Sequence, residues 1–263
     1  MRRVVLKSPA EIAIMDEANK IIHGILDEIE RILEPGMSSA ELDALAERRC
    51  REAGGVPAFL GYPHWANGPD FPGTICASPN SAIVHGVPTQ TELVEGDIIS
   101  VDMGVLYKGY YGDSARTFPV GQVSDETAKL LRVTRESLDR AIEVVRPGNR
   151  VSDIGHAVQT HVEAAGFSIV REFVGHGIGT DLHEDPQVPN FGKPGQRERL
   201  EPGMVLAIEP MVNLGRPEVV VSDDDGWTAR TKDGSLSAHF EVCVAVTEEG
   251  HRVLGNYQAL AAA

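Results

Sequence analysis

Apolar residues recur at helical spacing near the start of the chain, where Met15, Ala18, Ile22, Ile25, Ile29 and Leu33 form one stripe of a 3.6-residue period. Ser8 stands ahead of the stripe as N-cap, Pro9 takes the first helical position and Glu11 completes a capping box, so the helix begins there and stops at Pro35-Gly36. A second helix is read from "SSAELDALAERRCREAGG", with Ser38 and Glu41 as its capping box and Gly54-Gly55 as its stop. The pattern then returns. "SDETAKLLRVTRESLDRAIEVVRPG" ends at Pro147-Gly148 and "VSDIGHAVQTHVEAAGF" near Gly166, a displacement of about 110 residues that points to internal duplication.

Each helix pair is followed by short apolar runs bounded by turn residues. After the first come "SAIVHGV", "DIISVDMGVLY" and "GYYGDSARTF"; after the second come "FSIVREFVG", "MVLAIEPMV" and "AHFEVCVAVT". These read as strands, the last with Phe240, Val242, Val244 and Val246 alternating against Glu241, Cys243 and Ala245. "PHWANGPDFPG" and most of "GRPEVVVSDDDGWTARTKDGS" read as loop. With no Ser/Gly-rich linker between them, the halves are expected to form one compact α+β unit sharing a sheet.

The strands carry acids where apolar residues are expected. A turn near Tyr107-Lys108-Gly109 would set Asp102 and Asp113 opposite each other across a hairpin, with Cβ atoms about 4.5 to 5.5 Å apart. Like charges so placed are destabilising unless one is protonated, the edge is solvated, or a cation binds. Glu209 and Glu241 are lone acids in apolar runs that contain no Lys or Arg, and Pro210 biases Glu209 toward an extended backbone.

In "VGHGIGTDLHEDPQ", His176 and His183 stand seven residues apart among Gly175, Gly177 and Gly179. The glycine spacing is G-x-G-x-G, not the G-x-G-x-x-G of a dinucleotide loop, so close approach of backbone or ligand is the better reading. Four strand acids and one glycine-flanked His make a metal cluster the economical explanation. Two of the acids come from the first half and the rest of the set from the second, so the site is expected between the halves. A mostly oxygen ligand set suits Mg, Mn, Fe(II), Co(II) or Zn, and four carboxylates exceed what one divalent ion neutralises. Paired ions typically activate water for hydrolysis.

Composition narrows the setting. The 263 residues, 42% of them hydrophobic, suit a globular domain with a core of its own. Cys50, Cys76 and Cys243 are widely spaced and form no C-x-x-C, so reduced thiols are expected. The N-terminal stretch lacks the apolar run of a signal peptide or membrane span, and a cytoplasmic location is expected. A formal charge of -15 argues against binding to nucleic acid or an anionic membrane surface.

The ordered set "SVDMG", "GDSART", "GHGIG", "AIEPM" and "FEVCVAVTEEG" resembles the type I methionine aminopeptidases over nearly the whole chain, with "NSAIVHGVP", "LHEDPQVPNF" and "DGWTARTKDGSLSAHFE" as further matches. The resemblance implies the pita-bread fold: two pseudo-symmetric α/β halves, here about residues 8–120 and 121–250 of a single catalytic domain spanning 1–263, sharing a curved antiparallel sheet with helices on its outer face. It also implies removal of the initiator methionine from nascent polypeptides when the second residue is small. The implied cofactors are two divalent metal ions, Co, Mn, Fe(II) or Zn, held by Asp102, Asp113, His176, Glu209 and Glu241, with Asp113 and Glu241 bridging.

In the same resemblance Glu209 also moves the proton of a metal-bridged water, His183 faces the scissile carbonyl oxygen, and His85 contacts the peptide nitrogen side. The substrate α-amine binds near Asp102, and Tyr62, Phe71, Cys76, Leu182 and Trp227 line the methionine pocket. A monomer acting on nascent chain N-termini is expected, with transient ribosome association left open. No Cys-rich N-terminal extension is present, so no zinc docking domain is expected. The loop between Tyr62 and Phe71 is longer than in a minimal family member, and the 33 residues from His176 to Glu209 leave no room for the helical insert of type II. Aminopeptidase P and prolidase share the fold but resemble longer chains. A binding protein that had lost catalysis would show eroded ligands.

Overall fold

The computed structural model describes residues 4–66 and 68–258, so Asn67 of the long loop and the two ends of the 1–263 span lie outside the described residues. Helices α1 (Pro9–Ile32) and α2 (Ser39–Glu52) lead into β1 (Val56–Pro57), β2 (Cys76–Pro79), β3 (Ala82–Val84), β4 (Ile98–Tyr107) and β5 (Tyr110–Pro119). Helices α3 (Asp125–Glu143) and α4 (Val151–Ala164) then precede β6 (Ser168–Ile169), β7 (Gly175–Gly177), β8 (Glu184–Val188), β9 (Val205–Ile208) and β10 (Met211–Asn213). The described chain finishes with β11 (Val219–Val221), β12 (Ala229–Thr231), β13 (Ser237–His239), β14 (Val242–Val246) and β15 (His251–Val253).

Both expected capping boxes form. Ser8 Oγ accepts from Glu11 N while Glu11 Oε2 accepts from Ser8 N at 2.6 Å, and Ser38 with Glu41 repeats the arrangement. Such a cap is typically worth about 1 kcal/mol. The apolar stripe of α1 is buried from Met15 to Ile29 and packs on β4 and β5. In the second half α3 packs on α4 and reaches β13, while α4 lies on β6 and β8. One apolar core fills each half, and a third, containing Met15, Phe59, Phe71, Leu182, Trp227 and Cys243, lies beneath the site described below.

The strands pair antiparallel in four sheets, of which β15-β14-β9-β7-β8 and the group of β1, β4, β2 and β5 are the larger. These two meet at a bridge in which Glu241 N donates to Ala115 O at 2.9 Å and Ala115 N to Glu241 O at 3.3 Å. The first half is thereby joined to the second at one of the acids.

Four sequence expectations need correction. Asp102 does not face Asp113: Asp102 pairs with Ala115, and Asp113 pairs with Gly104. The turn is two residues long, Lys108-Gly109, with φ of 48° and 86°, the left-handed pair that matches strand twist and moves the register by two. The acids are consequently diagonal neighbours on one face. Second, "GRPEVVVSDDDGWTARTKDGS" is not mostly loop, since β11 and β12 pair within it and β12 pairs on to β3. Third, three of the long strand runs break. "FSIVREFVG" becomes β6 and β7; "MVLAIEPMV" breaks at Glu209-Pro210, where the proline has no N–H for a ladder; and "AHFEVCVAVT" breaks at Phe240-Glu241. Fourth, every residue of β14 is buried, so the alternation read there does not separate a core face from a solvent face.

Candidate metal centre

The strand breaks place the acids. Val242 pairs with Ile208, and continuing that register by one residue sets Glu241 opposite Glu209. His176 pairs with Ala207, which puts it diagonal to Glu209 on the other side of β9. Ala115 lies between Asp102 and Glu241, partnered to both, and Asp113 is two residues along the same strand face. Hydrogen bonds fix the seam: Ser114 Oγ donates to Glu241 O at 2.6 Å, and Thr117 Oγ1 donates to His239 O at 2.8 Å.

The glycines around His176 are explained by backbone. A Cβ on Gly175 would strike the Ala207 carbonyl oxygen, and one on Gly177 the Asp185 carbonyl oxygen. Close strand approach, rather than a ligand, requires the absence of a side chain at these two positions.

All of the residues singled out above line one cavity of about 180 Å³: Asp102, Asp113, His176, Glu209 and Glu241 together with His85, His183, Tyr62, Phe71, Cys76, Leu182 and Trp227. Phe59 and Trp65 complete the lining and were not anticipated. Phe59 follows the short β1 with no periodic signal. Trp65 sits in the long loop, 58% exposed, with its ring 4.9 Å from Trp227 and stacked on His64 at 4.5 Å. That loop is tied to the opposite wall by Trp227 Nε1, which donates to Pro69 O at 3.0 Å, and by a 3.1 Å contact between His64 Nε2 and Gly226 O.

One ligand atom each from Asp113, His176 and Glu241 lie within 4.8 Å of one another. His176 Nε2 is 3.8 Å from Asp113 Oδ2 and 3.8 Å from Glu209 Oε1, while its Nδ1 is 2.9 Å from the Gly177 carbonyl, which leaves Nε2 facing the acids. Tyr62 Oη lies 2.9 Å from His183 Nδ1, so a residue assigned only to the methionine pocket is bonded to the second histidine as well. His85 adopts a left-handed backbone with φ 58°, and its Nδ1 is buried without a partner.

The electrostatics ask for cations. Burial pushes the Glu209 carboxyl up to about 8 and that of Asp102 up to about 7. Asp113 and Glu241 are driven well above the usual range, first by burial and then by the neighbouring carboxylates. Burial works the other way on the imidazoles, holding His176 down to about 3 and His85 to about 4, so the contacts of His176 with Asp113 and Glu209 are not ion pairs. Among the described residues no Lys or Arg makes an ion pair with these four acids. Asp102 Oδ1, Asp113 Oδ1 and Glu241 Oε1 are buried without a hydrogen-bond partner. Four clustered carboxylates, three of them with an orphaned oxygen, and neutral imidazoles fit divalent ions, which would supply the missing positive charge.

Known proteins agree with this chemistry. Residues 13–248 match the metallopeptidase family M24. The chain belongs to that family. It is 50% identical over 251 residues to methionine aminopeptidase 1 of Bacillus subtilis, covering 95% of this chain and 98% of that protein, and 45% identical over 261 residues to methionine aminopeptidase 1 of Mycobacterium tuberculosis, covering 96% of each chain. The crystal structure of methionine aminopeptidase from Thermotoga maritima superposes with a TM-score of 0.93 at 42% identity, covering 97% of this chain and all of that one. Prolidase from Pyrococcus furiosus shares the fold at a TM-score of 0.76 and 23% identity, but this chain covers only 66% of it. The architecture is therefore the α+β pita-bread fold of the family, and the enzyme is a metal-dependent peptidase. No helix of the described residues is long and apolar enough to cross a membrane.

Proposed function

We propose that this chain removes N-terminal methionine from polypeptides, favouring those whose second residue is small, with two divalent ions held by Asp102, Asp113, His176, Glu209 and Glu241. The observation that carries the reading is the convergence of these five residues with two further histidines and an apolar wall on one small cavity. The whole-length likeness to methionine aminopeptidases names the substrate class, and prolidase likeness extends to the fold alone.

Bound ions would polarise the scissile carbonyl and lower the pKa of water. The protein does the rest. Phe71, Cys76, Leu182 and Trp227 provide an apolar slot for an unbranched thioether, all four being nearly or fully buried. Asp102, at the cavity wall, faces the substrate α-amine. Tyr62 Oη donates into His183 Nδ1, leaving the proton on Nε2, which then donates to the carbonyl oxygen as negative charge develops there. Glu209 takes the proton from the attacking water and delivers it to the leaving amine. His85 faces the peptide nitrogen on the leaving side.

Release of free methionine from a Met-Ala-Ser peptide with added Mn(II) or Co(II) tests the reading. Hydrolysis of X-Pro substrates with Met-Ala-Ser left intact would transfer the chain to the prolidase class.

A further inference from the structure

His239 has no part in the reading above, yet it stands beside its proton carrier. It ends β13, is 1% exposed, and lies behind Glu209 rather than among the residues lining the cavity. Its backbone is clamped on both sides by Thr117 Oγ1, which accepts from His239 N and donates to His239 O, each at 2.8 Å. The backbone is thus fixed in place, and the ring Nε2 is buried without a hydrogen-bond partner. That nitrogen lies 3.6 Å from Glu209 Oε2. On the other side of the same carboxylate, His176 Nε2 is 3.8 Å from Oε1, and Asn190 Nδ2 donates to the Glu209 carbonyl at 2.9 Å.

We propose that His239 is a positioning residue for Glu209, its neutral Nε2–H holding Oε2 so that Oε1 is presented to the cavity; the inference rests on the aminopeptidase reading given above. The 3.6 Å separation is just outside hydrogen-bond reach, and a movement of a few tenths of an ångström closes it. The incentive is physical: a buried ring N–H without an acceptor is costly, and Glu209 Oε2 is the acceptor at hand. Partners of metal-ligating carboxylates fix ligand orientation, and their loss costs about 10- to 100-fold in activity or metal affinity.

The test compares His239→Leu, which keeps bulk without a donor, with His239→Gln, whose amide N–H can reach the same oxygen. Methionine release from Met-Ala-Ser and calorimetric binding of Mn(II) are measured on each, with thermal unfolding as the fold control. His239→Leu is expected to lower kcat and Mn(II) affinity by about 10- to 100-fold with KM little changed and the number of bound ions the same. His239→Gln should recover most of both. Wild-type kcat and Mn(II) affinity in His239→Leu, or equal losses in the two variants, would overturn the positioning role. Loss of a bound ion would overturn it as well, since His239 would then be a ligand. If the wild-type protein binds Mn(II) yet releases no methionine, the aminopeptidase reading fails and takes this inference with it. If the wild type is active and His239→Leu equally so, only the inference fails.

Discussion

The contact between Tyr62 and His183 gives a prediction that can be worked through in numbers. Tyr62→Phe removes one hydroxyl from a 2.9 Å hydrogen bond at His183 Nδ1 and leaves the ring against the cavity. A neutral hydrogen bond of this kind contributes about 0.5 to 1.5 kcal/mol net, so kcat should fall roughly 2- to 12-fold if the bond orients the imidazole. His183→Ala removes the oxyanion donor itself, which is worth about 2.7 to 4 kcal/mol, or roughly 10² to 10³ in kcat. The two effects should not add: once His183 is gone, Tyr62→Phe has no imidazole to misorient, and the double variant should match His183→Ala. The assay is kcat and KM for Met-Ala-Ser at saturating Mn(II), with bound metal measured on every variant. Metal content should be unchanged throughout. Full additivity of the two substitutions would show that Tyr62 acts on its own, and loss of metal in His183→Ala would refute the oxyanion role.

The remaining predictions concern ligands and stability. Asp113→Asn should lower both Mn(II) stoichiometry by calorimetry and hydrolysis, because an oxygen-rich site loses a negative ligand; full metal and ordinary rate would refute the assignment. His176→Ala should weaken metal binding, with excess Mn(II) restoring part of the activity, in contrast to His183→Ala, which added metal should not help. His23 is held down to about 4, mainly by burial and then by Arg116, with Nδ1 accepting from Asn256 N and Nε2 3.1 Å from Ser114 Oγ. A depressed histidine contributes stability above its unfolded pKa of about 6.5 that is lost as pH falls through the folded value, so wild type should lose on the order of 3 kcal/mol more than His23→Gln between pH 7 and about 4 in urea titrations with chelator present. Gly175→Ala should destabilise by about 1 to 3 kcal/mol by the same assay, since its Cβ would strike the Ala207 carbonyl.

Much of this was readable from the chain, for reasons that separate local from distant chemistry. The four helices are announced by caps and stops a few residues apart, and Ser8 with Glu11 or Ser38 with Glu41 needs no tertiary information. The acids were visible because an unpaired carboxylate in an apolar run needs a partner wherever the strand goes. Register was harder. Lys108 in a left-handed conformation shifts the hairpin by two residues, and a lysine gives no sign of that. β11 and β12 are three residues each, with Val220 and Val221 exposed amid Gly and Asp, so their composition looks like loop. Tyr62 and His183 are joined across 121 residues, and His239 meets Glu209 only because two strands break at matching points. Trp65 belongs to a loop with no periodicity, and only the fold brings it against Trp227.

The central claim is that Asp102, Asp113, His176, Glu209 and Glu241 hold divalent ions that a methionine-releasing site depends on. It is tested most directly by titrating Mn(II) into chelator-treated protein while methionine release from Met-Ala-Ser is followed in the same solution. The expected result is negligible release at the start, activity that rises as calorimetrically detected ions bind, and neither binding nor release in a variant with Asp113 and Glu241 both replaced by alanine. Methionine release that persists without metal, or that survives the double replacement, would contradict the account.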